Sequence, residues 1–171
     1  IQFFCIFLLH KFLLSVILVF VTIHTSLAIP ERITCTMSDY KIISALNEEH
    51  KVYLVQSALS DKVYVQKILD VYNIRVYEYL YRNPVSGIPR LINYYEDGNQ
   101  LVVIEEYISG TSLQEKIDNS DLSVSDIRSY MIMLCNILEA LHSMTPPIIH
   151  RDIKPSNIII TSYNYAMLLD F

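Results

Sequence analysis

Cysteine is scarce in this chain and badly spaced for chemistry. Cys5, Cys35 and Cys135 are odd in number, far apart and form no C-x-x-C pair, so neither a disulfide framework nor a thiolate zinc site is indicated. Cys135 falls within an apolar helical pattern and reads as an inert core thiol. Basic charge is thin as well. Thirteen Lys and Arg stand against eighteen Asp and Glu, a net charge of −5 with no basic block, which argues against nucleic acid as a partner. Internal repeats and low-complexity segments are also missing. Apolar side chains are plentiful: 52% of residues are hydrophobic and 18% charged. That supplies a core and makes disorder an unsuitable description for 171 residues, which form one domain or an incomplete piece of a larger one.

Charge is nearly missing from residues 1–29, where Lys11 stands alone. The run from Phe12 to Ile29 is long enough to span a bilayer, and "TSLA" resembles a signal-peptide cleavage site. A third reading is equally open. The chain begins with Ile, and Met37 precedes the start of periodic structure at Tyr40 by three residues, as expected of a gene model extended upstream of its true start. Residues 1–36 are therefore set apart as a hydrophobic extension. A membrane is a partner only through residues 12–29, and the remainder is expected to be cytoplasmic.

From Tyr40 the pattern is strand-like. "YKIISAL", "KVYLVQSAL" and "KVYVQKIL" are β-rich runs, with a polar turn at Ser60-Asp61. "VYNIRVYEYLY" reads as a short helix ending near Asn83-Pro84. "RLINYYE" and "QLVVIEEY" are joined by Asp97-Gly98-Asn99, a hairpin signal. After Gly110 the period becomes helical. Thr111 with Gln114 reads as a capping box ahead of "LQEKI", and Ser123 with Asp126 as another. The helix after Ser123 carries Ile127, Tyr130, Met131, Leu134, Ile137, Leu138 and Leu141 as one apolar stripe, and Pro146-Pro147 ends it. The tail reads as strand, polar cluster, strand, strand. This order, five strands with one helix and then mainly helix, predicts an α+β chain in two lobes, divided near Glu106 to Gly110.

The polar cluster is "HRDIKPSN", set between isoleucine runs. Asp152 and Asn157, five apart on a loop between strands, can face one cavity. The carboxylate can accept or orient a hydroxyl proton, and the amide oxygen can bind a hard cation. Lys154 places positive charge on the same side, where a transferring phosphoryl group gathers negative charge. Asp170 supplies a second oxygen ligand. Oxygen donors without a thiol or imidazole cluster suit Mg²⁺ rather than Zn²⁺. An isolated Asp/Asn pair usually does no more than staple a turn; four such positions together make that reading weak.

"HRDIKPSN", followed by "DF" thirteen residues after the Asn, resembles the catalytic loop and magnesium motif of eukaryotic-like (Hanks-type) protein kinases. The resemblance runs from about Tyr40 to Phe171. It implies a bilobal protein-kinase-like fold, with an N-lobe at 40–105, a hinge at 106–110 and a partial C-lobe at 111–171. It also implies ATP-dependent phosphoryl transfer to serine or threonine hydroxyls of a protein substrate, Lys154 being the serine/threonine pattern. By this likeness Asp152 is the catalytic base, Lys154 steadies the γ-phosphate, and Asn157 and Asp170 hold Mg²⁺. Arg151 implies regulation through a phosphorylated activation loop. "VYVQK" resembles the third-strand signature, making Lys67 the partner of the ATP α/β-phosphates, although a lone strand lysine is ordinarily only solvated. "IEEYISG" resembles the hinge. The backbone of Glu106 and Ile108 would then bind adenine between Val52, Val65 and Ile159, with Glu105 at the gatekeeper position.

Two departures from the family pattern stand out. The glycine-rich loop falls on "ALNEEHKV", so Ala45, Asn47 and His50 replace its glycines, while Glu48 and Glu49 would repel phosphate. The helix acid expected to pair with Lys67 is also unsettled. Glu78 is the only candidate, and the register that keeps Val76 and Leu80 in an apolar spine removes it. Family domains run to about 250 residues, so the chain is expected to be an inactive fragment whose Tyr130, Leu134, Ile137 and Leu141 stay partly exposed. Two alternatives are a pseudokinase or ATP-binding scaffold, favoured by the glycine-free loop, and a small-molecule kinase of related fold, disfavoured by the Arg-Asp-x-Lys sequence.

Overall fold

The structure is a computed structural model that describes residues 39–170. The apolar extension, with its membrane and signal readings, and Phe171 lie outside the described residues. Among the described residues no helix is long and apolar enough to cross a membrane.

Strands β1 (Tyr40–Asn47), β2 (Val52–Ser57), β3 (Val63–Leu69), β4 (Leu91–Asp97) and β5 (Gln100–Glu106) form one antiparallel sheet in the order β1-β2-β3-β5-β4. The β4–β5 turn needs a left-handed residue, and Gly98 supplies it at φ 59°. Strand β5, between β3 and β4, is the most buried: Leu101, Val102, Val103 and Ile104 are at most 1% exposed. Helix α1 (Ile74–Arg82) joins β3 to β4. The Asn73 side chain caps it by accepting the Arg75 N–H, and the helix stops at Asn83, before Pro84. Its buried residues are Tyr77 and Leu80. Tyr77 joins Leu91, Tyr94, Leu101 and Val103 in one core, whereas Leu80 and Val76 pack into the other.

The second part begins at β6 (Gly110–Ser112) and continues through α2 (Leu113–Asp118) and α3 (Val124–His142). A 3-10 turn (Pro155–Asn157), β7 (Ile158–Thr161) and β8 (Ala166–Leu168) come next. The last three strands form an antiparallel sheet in the order β6-β7-β8. Gly110 is required there by close approach: a Cβ would lie 2.3 Å from the Ile160 carbonyl oxygen. Tyr130, Leu134, Ile137 and Leu141 of α3 bury against Ile148, Ile158, Ile160 and Leu168. The Ser123–Asp126 capping box at the start of α3 forms as expected. The result is a β-rich antiparallel sheet with one helix, followed by a partly helical unit, which is the predicted α+β class.

Several expectations need correction. The cap of α2 is Ser112, which accepts the Glu115 N–H, rather than Thr111 with Gln114, because Thr111 is held in β6 by pairing with Ile160. No strand forms at Ile148–His150. Ile148 N–H donates to the Leu141 carbonyl at 3.1 Å, and β6, unrecognised in the sequence, takes the place beside β7. The α3 stripe is narrower than expected: Ile127 and Met131 are exposed, and so is Cys135. Cys135 sits one residue beyond the inward Leu134, about 100° around the helix, so it is not a core thiol. Tyr130, Leu134, Ile137 and Leu141, expected to stay partly exposed, are 2, 5, 5 and 0% exposed. The β7–β8 sheet and the Ile148 segment already cover them.

Candidate active site

A cleft of about 680 Å³ lies between the two sheets, within the size range of small-molecule sites. Its walls include Val52, Val65 and Lys67 from β2 and β3, Glu105 and Glu106 at the end of β5, and Ile108 from the connection to β6. Asp152, Lys154, Ile159 and Asp170 close it from the other side. Antiparallel pairing explains the upper wall. Val52 is opposite Lys67 and Val65 opposite Glu105, so alternate residues of neighbouring strands share the face turned to the cleft. Asn157 is not part of the wall. It sits behind Asp152, 5% exposed.

Four polar side chains are buried among the described residues: Gln66, Lys67, His150 and Asn157. Buried polar groups need partners, and those of His150 and Asn157 fix the shape of the loop at 150–157. Asn157 Nδ2 donates to both the carbonyl oxygen and Oδ2 of Asp152, each at 3.0 Å. The Leu169 N–H donates to the Asn157 carbonyl at 2.8 Å. His150 Nδ1 accepts the Asp152 N–H at 3.3 Å, which makes Nε2 the protonated nitrogen, and Nε2 lies 2.7 Å from the Leu169 carbonyl. His150 and Asn157 therefore strap the loop to the segment that carries Asp170. Arg151 and Asp170 have left-handed backbones, φ 69° and 64°, a costly geometry for non-glycine residues that these straps hold in place.

Lys154 Nζ lies 2.7 Å from Asp152 Oδ2. The hydrogen bond from Lys154, reinforced by that from Asn157, holds the Asp152 carboxyl below its usual range despite some desolvation. Asp152 is thus an ionised acceptor at the mouth of the cleft. Both ring nitrogens of His150 are engaged, and no group of three or more His, Cys, Asp and Glu gathers among the described residues. The remaining donors are the Asp170 carboxylate and the Asn157 amide oxygen, on the side away from its engaged nitrogen. Few, hard and oxygen-based, they fit a Mg²⁺ that keeps water and phosphate ligands.

Lys67 occupies the cleft floor with its side chain 11% exposed. Its Nζ lies 2.6 Å from Glu105 Oε1 and 2.8 Å from Asp170 Oδ1. Burial alone would lower its pKa; the two carboxylates outweigh that and hold the ammonium above its ordinary range. Burial pushes the Glu105 carboxyl up, against the pull of Lys67. Two carboxylates thus share one cation. Glu78 takes no part: it accepts from Arg82 at 2.7 Å on the exposed side of α1. The unsettled acid is therefore on β5, and α1 adopts the register of Val76 and Leu80. A single-sequence reading places Glu105 opposite Val65 only once the β3–β5 register is known, so this pairing was missed.

The β1–β2 turn reaches the cleft without glycine. Asn47 and His50 line it, and the turn closes through His50 N–H to Asn47 Oδ1 at 3.1 Å and Lys51 N–H to the Glu48 carbonyl at 3.2 Å. Lys51 is the left-handed residue, φ 53°, and its ammonium pairs with Asp70 at 2.8 Å outside the cleft.

Comparison with known proteins agrees with this geometry. The chain is 31% identical over 100 residues to the serine/threonine-protein kinase flr-4 of Caenorhabditis elegans, covering 56% of this chain and 18% of that protein. It is 40% identical over 86 residues to the serine/threonine-protein kinase PknA of a Nostoc species, covering 49% and 15%. It is 33% identical over 86 residues to the serine/threonine-protein kinase B of a Synechocystis species, again 49% and 15%. The chain thus spans less than a fifth of the length of these relatives. The family model described as the protein kinase domain matches residues 49–171, which take in the cleft apart from Leu46 and Asn47, the loop at 150–157 and Asp170, and the chain belongs to that family.

Proposed function

We propose that this chain binds Mg²⁺-ATP and contributes the nucleotide site and catalytic loop for phosphoryl transfer to serine or threonine hydroxyls of a protein substrate. The observation that carries the reading is the convergence, in one cleft, of Lys67 from β3, Asp152 from the loop and Asp170 from the segment after β8. Residues 40–105 would form the N-lobe, 106–110 the hinge and 111–171 the part of the C-lobe that carries the loop.

In this reading adenine lies between Val52 and Val65 above and Ile159 below, an apolar slot of the kind that takes a planar ring. Backbone groups of Glu106 and Ile108 would meet its edge. Lys67 would bind the α- and β-phosphates as a point charge. Asn157 and Asp170 would hold Mg²⁺, which when bound neutralises charge on the phosphate oxygens. Asp152, kept ionised by Lys154 and Asn157, would orient the substrate hydroxyl and accept its proton, while Lys154 would meet the charge gathered on the transferring group. The hydroxyl oxygen forms the new bond to phosphorus, ADP leaves with the broken bond's electrons, and the hydroxyl proton passes to Asp152.

The test is ATP titration by calorimetry with and without Mg²⁺, followed by transfer of labelled γ-phosphate to casein by the protein expressed from its own gene. Mg²⁺-dependent binding with transfer supports the reading. Absence of both would refute it. Binding without transfer would favour the second reading, a nucleotide-binding scaffold, which the glycine-free β1–β2 turn favours.

A further inference from the structure

The β3 lysine of this chain is held by its own sheet. On antiparallel neighbours a residue faces its opposite number and reaches diagonally to the residue two further along. Lys67 is opposite Val103, so Glu105 is its diagonal neighbour on the same sheet face. The contact is made at 2.6 Å, with both side chains nearly buried at 11% and 13% exposure. Helix α1 has no acid to offer. Its single carboxylate, Glu78, is engaged by Arg82 on the exposed side, and the side chain it turns toward the Lys67 cluster is the buried phenol of Tyr77. Asp170 is a weaker anchor than Glu105, because it is half exposed and stands on a left-handed backbone.

We infer that Glu105 is the positioning residue for Lys67, fixing the lysine ammonium for phosphate binding from within the β3–β5 ladder, so that its placement does not depend on where α1 sits. The inference rests on the nucleotide-binding reading above and adds a residue and a consequence to it. A lysine held from a helix is released when the helix moves. One held by a rung of a sheet, between strands whose core residues are almost fully buried, keeps its place.

Three variants test this: Glu105→Gln, which keeps shape and removes charge; Glu105→Asp, which keeps charge at shorter reach; and Glu78→Gln as a control outside the cluster. Calorimetric affinities are measured for Mg²⁺-ATP and for adenosine, which has no phosphate for Lys67 to hold. Glu105→Gln is expected to weaken ATP binding about 10- to 100-fold, the usual effect of removing a group that orients a binding residue. Adenosine affinity should fall by less than ATP affinity: Glu105 also lines the cleft, but adenosine has no phosphate for Lys67 to hold. Glu105→Asp should fall between, and Glu78→Gln should match the unsubstituted protein. Equal loss for ATP and adenosine in both Glu105 variants would mean a merely structural role and overturn the inference. Unchanged or tighter ATP binding in Glu105→Gln would overturn it too, the latter by showing that Glu105 competes with phosphate for Lys67. So would ATP loss in Glu78→Gln. If Glu105→Gln does not fold, the ATP-to-adenosine ratio in Glu105→Asp decides. Adenosine binding without ATP-specific loss would leave the nucleotide site standing and this inference refuted. Failure of the unsubstituted protein to bind either ligand would refute both.

Discussion

Replacing Lys67 by Met keeps the volume of the stem and removes the one cation in a cluster of two carboxylates. Asp170, half exposed, can turn to water at small cost. Glu105, 13% exposed, cannot. It must stay charged in a poor solvent or take a proton, whichever costs less. Protonation sets the ceiling: at 1.36 kcal/mol per pH unit from the ordinary value of 4.5 up to pH 7, the penalty is at most about 3.4 kcal/mol. A loss of about 2–3 kcal/mol at neutral pH is therefore expected, near the range for breaking a buried pair from one side. The same protonation fixes the sign with pH. In the variant, folded Glu105 holds a proton that the unfolded chain has released, so stability rises as pH falls from 7 toward 5, by up to about 1.4 kcal/mol per unit relative to the parent. Lys67→Met with Glu105→Gln removes the orphaned charge and should recover to within about 1 kcal/mol of the parent. Urea melts of the parent and both variants at pH 7 and pH 5 decide the matter. A single-variant loss that does not vary with pH, or a double variant less stable than the single, would refute the shared-cation account.

Asp152→Asn should lower kcat about a hundredfold or more while leaving ATP affinity unchanged, and turnover within a few-fold of the parent would remove Asp152 from the reaction. Because its carboxyl is held below the ordinary 3.8 by Lys154 and Asn157, the acid limb owed to Asp152 should lie below that pH; Lys154→Met should move it upward, as a pH–rate profile would reveal. Gly110→Ala would place a Cβ 2.3 Å from the Ile160 carbonyl oxygen and should cost about 1–3 kcal/mol through separation of β6 from β7, read by chemical denaturation. Asn47→Gly with His50→Gly should tighten ATP binding, since both residues line the cleft where closer backbone approach is favourable; an unchanged Kd would place phosphate away from the turn.

The residues that the structure gathers at the candidate site were legible because most of them are contiguous. Residues 150–157 form one short loop, and the partners that shape it, His150 and Asn157, lie inside the same motif. The five strands and α1 were legible for a similar reason: β-branched runs and a proline mark them locally. What escaped depends on contacts between distant segments. β6 is three residues long and exists because β7 is beside it, and its presence moved the α2 cap from Thr111 to Ser112. The apolar segment at Ile148–His150 looks like a strand, but Ile148 fills the core under α3 and the His150 ring reaches Leu169. Neither role has a period of two. Cys135 was misplaced because several registers of the α3 stripe fit the sequence, and only packing against β8 selects Tyr130, Leu134, Ile137 and Leu141.

The acid paired with Lys67 shows the same limit and its consequence for the fold. Read along the chain, a lysine on β3 sends the search to the next helix, where Glu78 stands, and a glutamate late in β5 looks like an oddity in an adenine pocket. Read across the sheet, the oddity and the missing acid are one residue. The substitution is self-consistent: with the anionic partner on β5, α1 is free to fill its inward face with Tyr77 and Leu80, and its acid can serve the exposed i, i+4 pair with Arg82. Were Glu105 apolar, Lys67 would keep only half-exposed Asp170, and α1 offers no inward carboxylate to replace it. The glycine-free turn is consistent with this division of labour. All three glycines of the sequence stand at Gly87, Gly98 and Gly110, outside that turn, and Gly98 and Gly110 are held there by a hairpin and a close strand approach. On the nucleotide-binding reading proposed above, phosphate binding would rest on the sheet-anchored Lys67 more than on the loop above it, and a change at Glu105 should be felt there first.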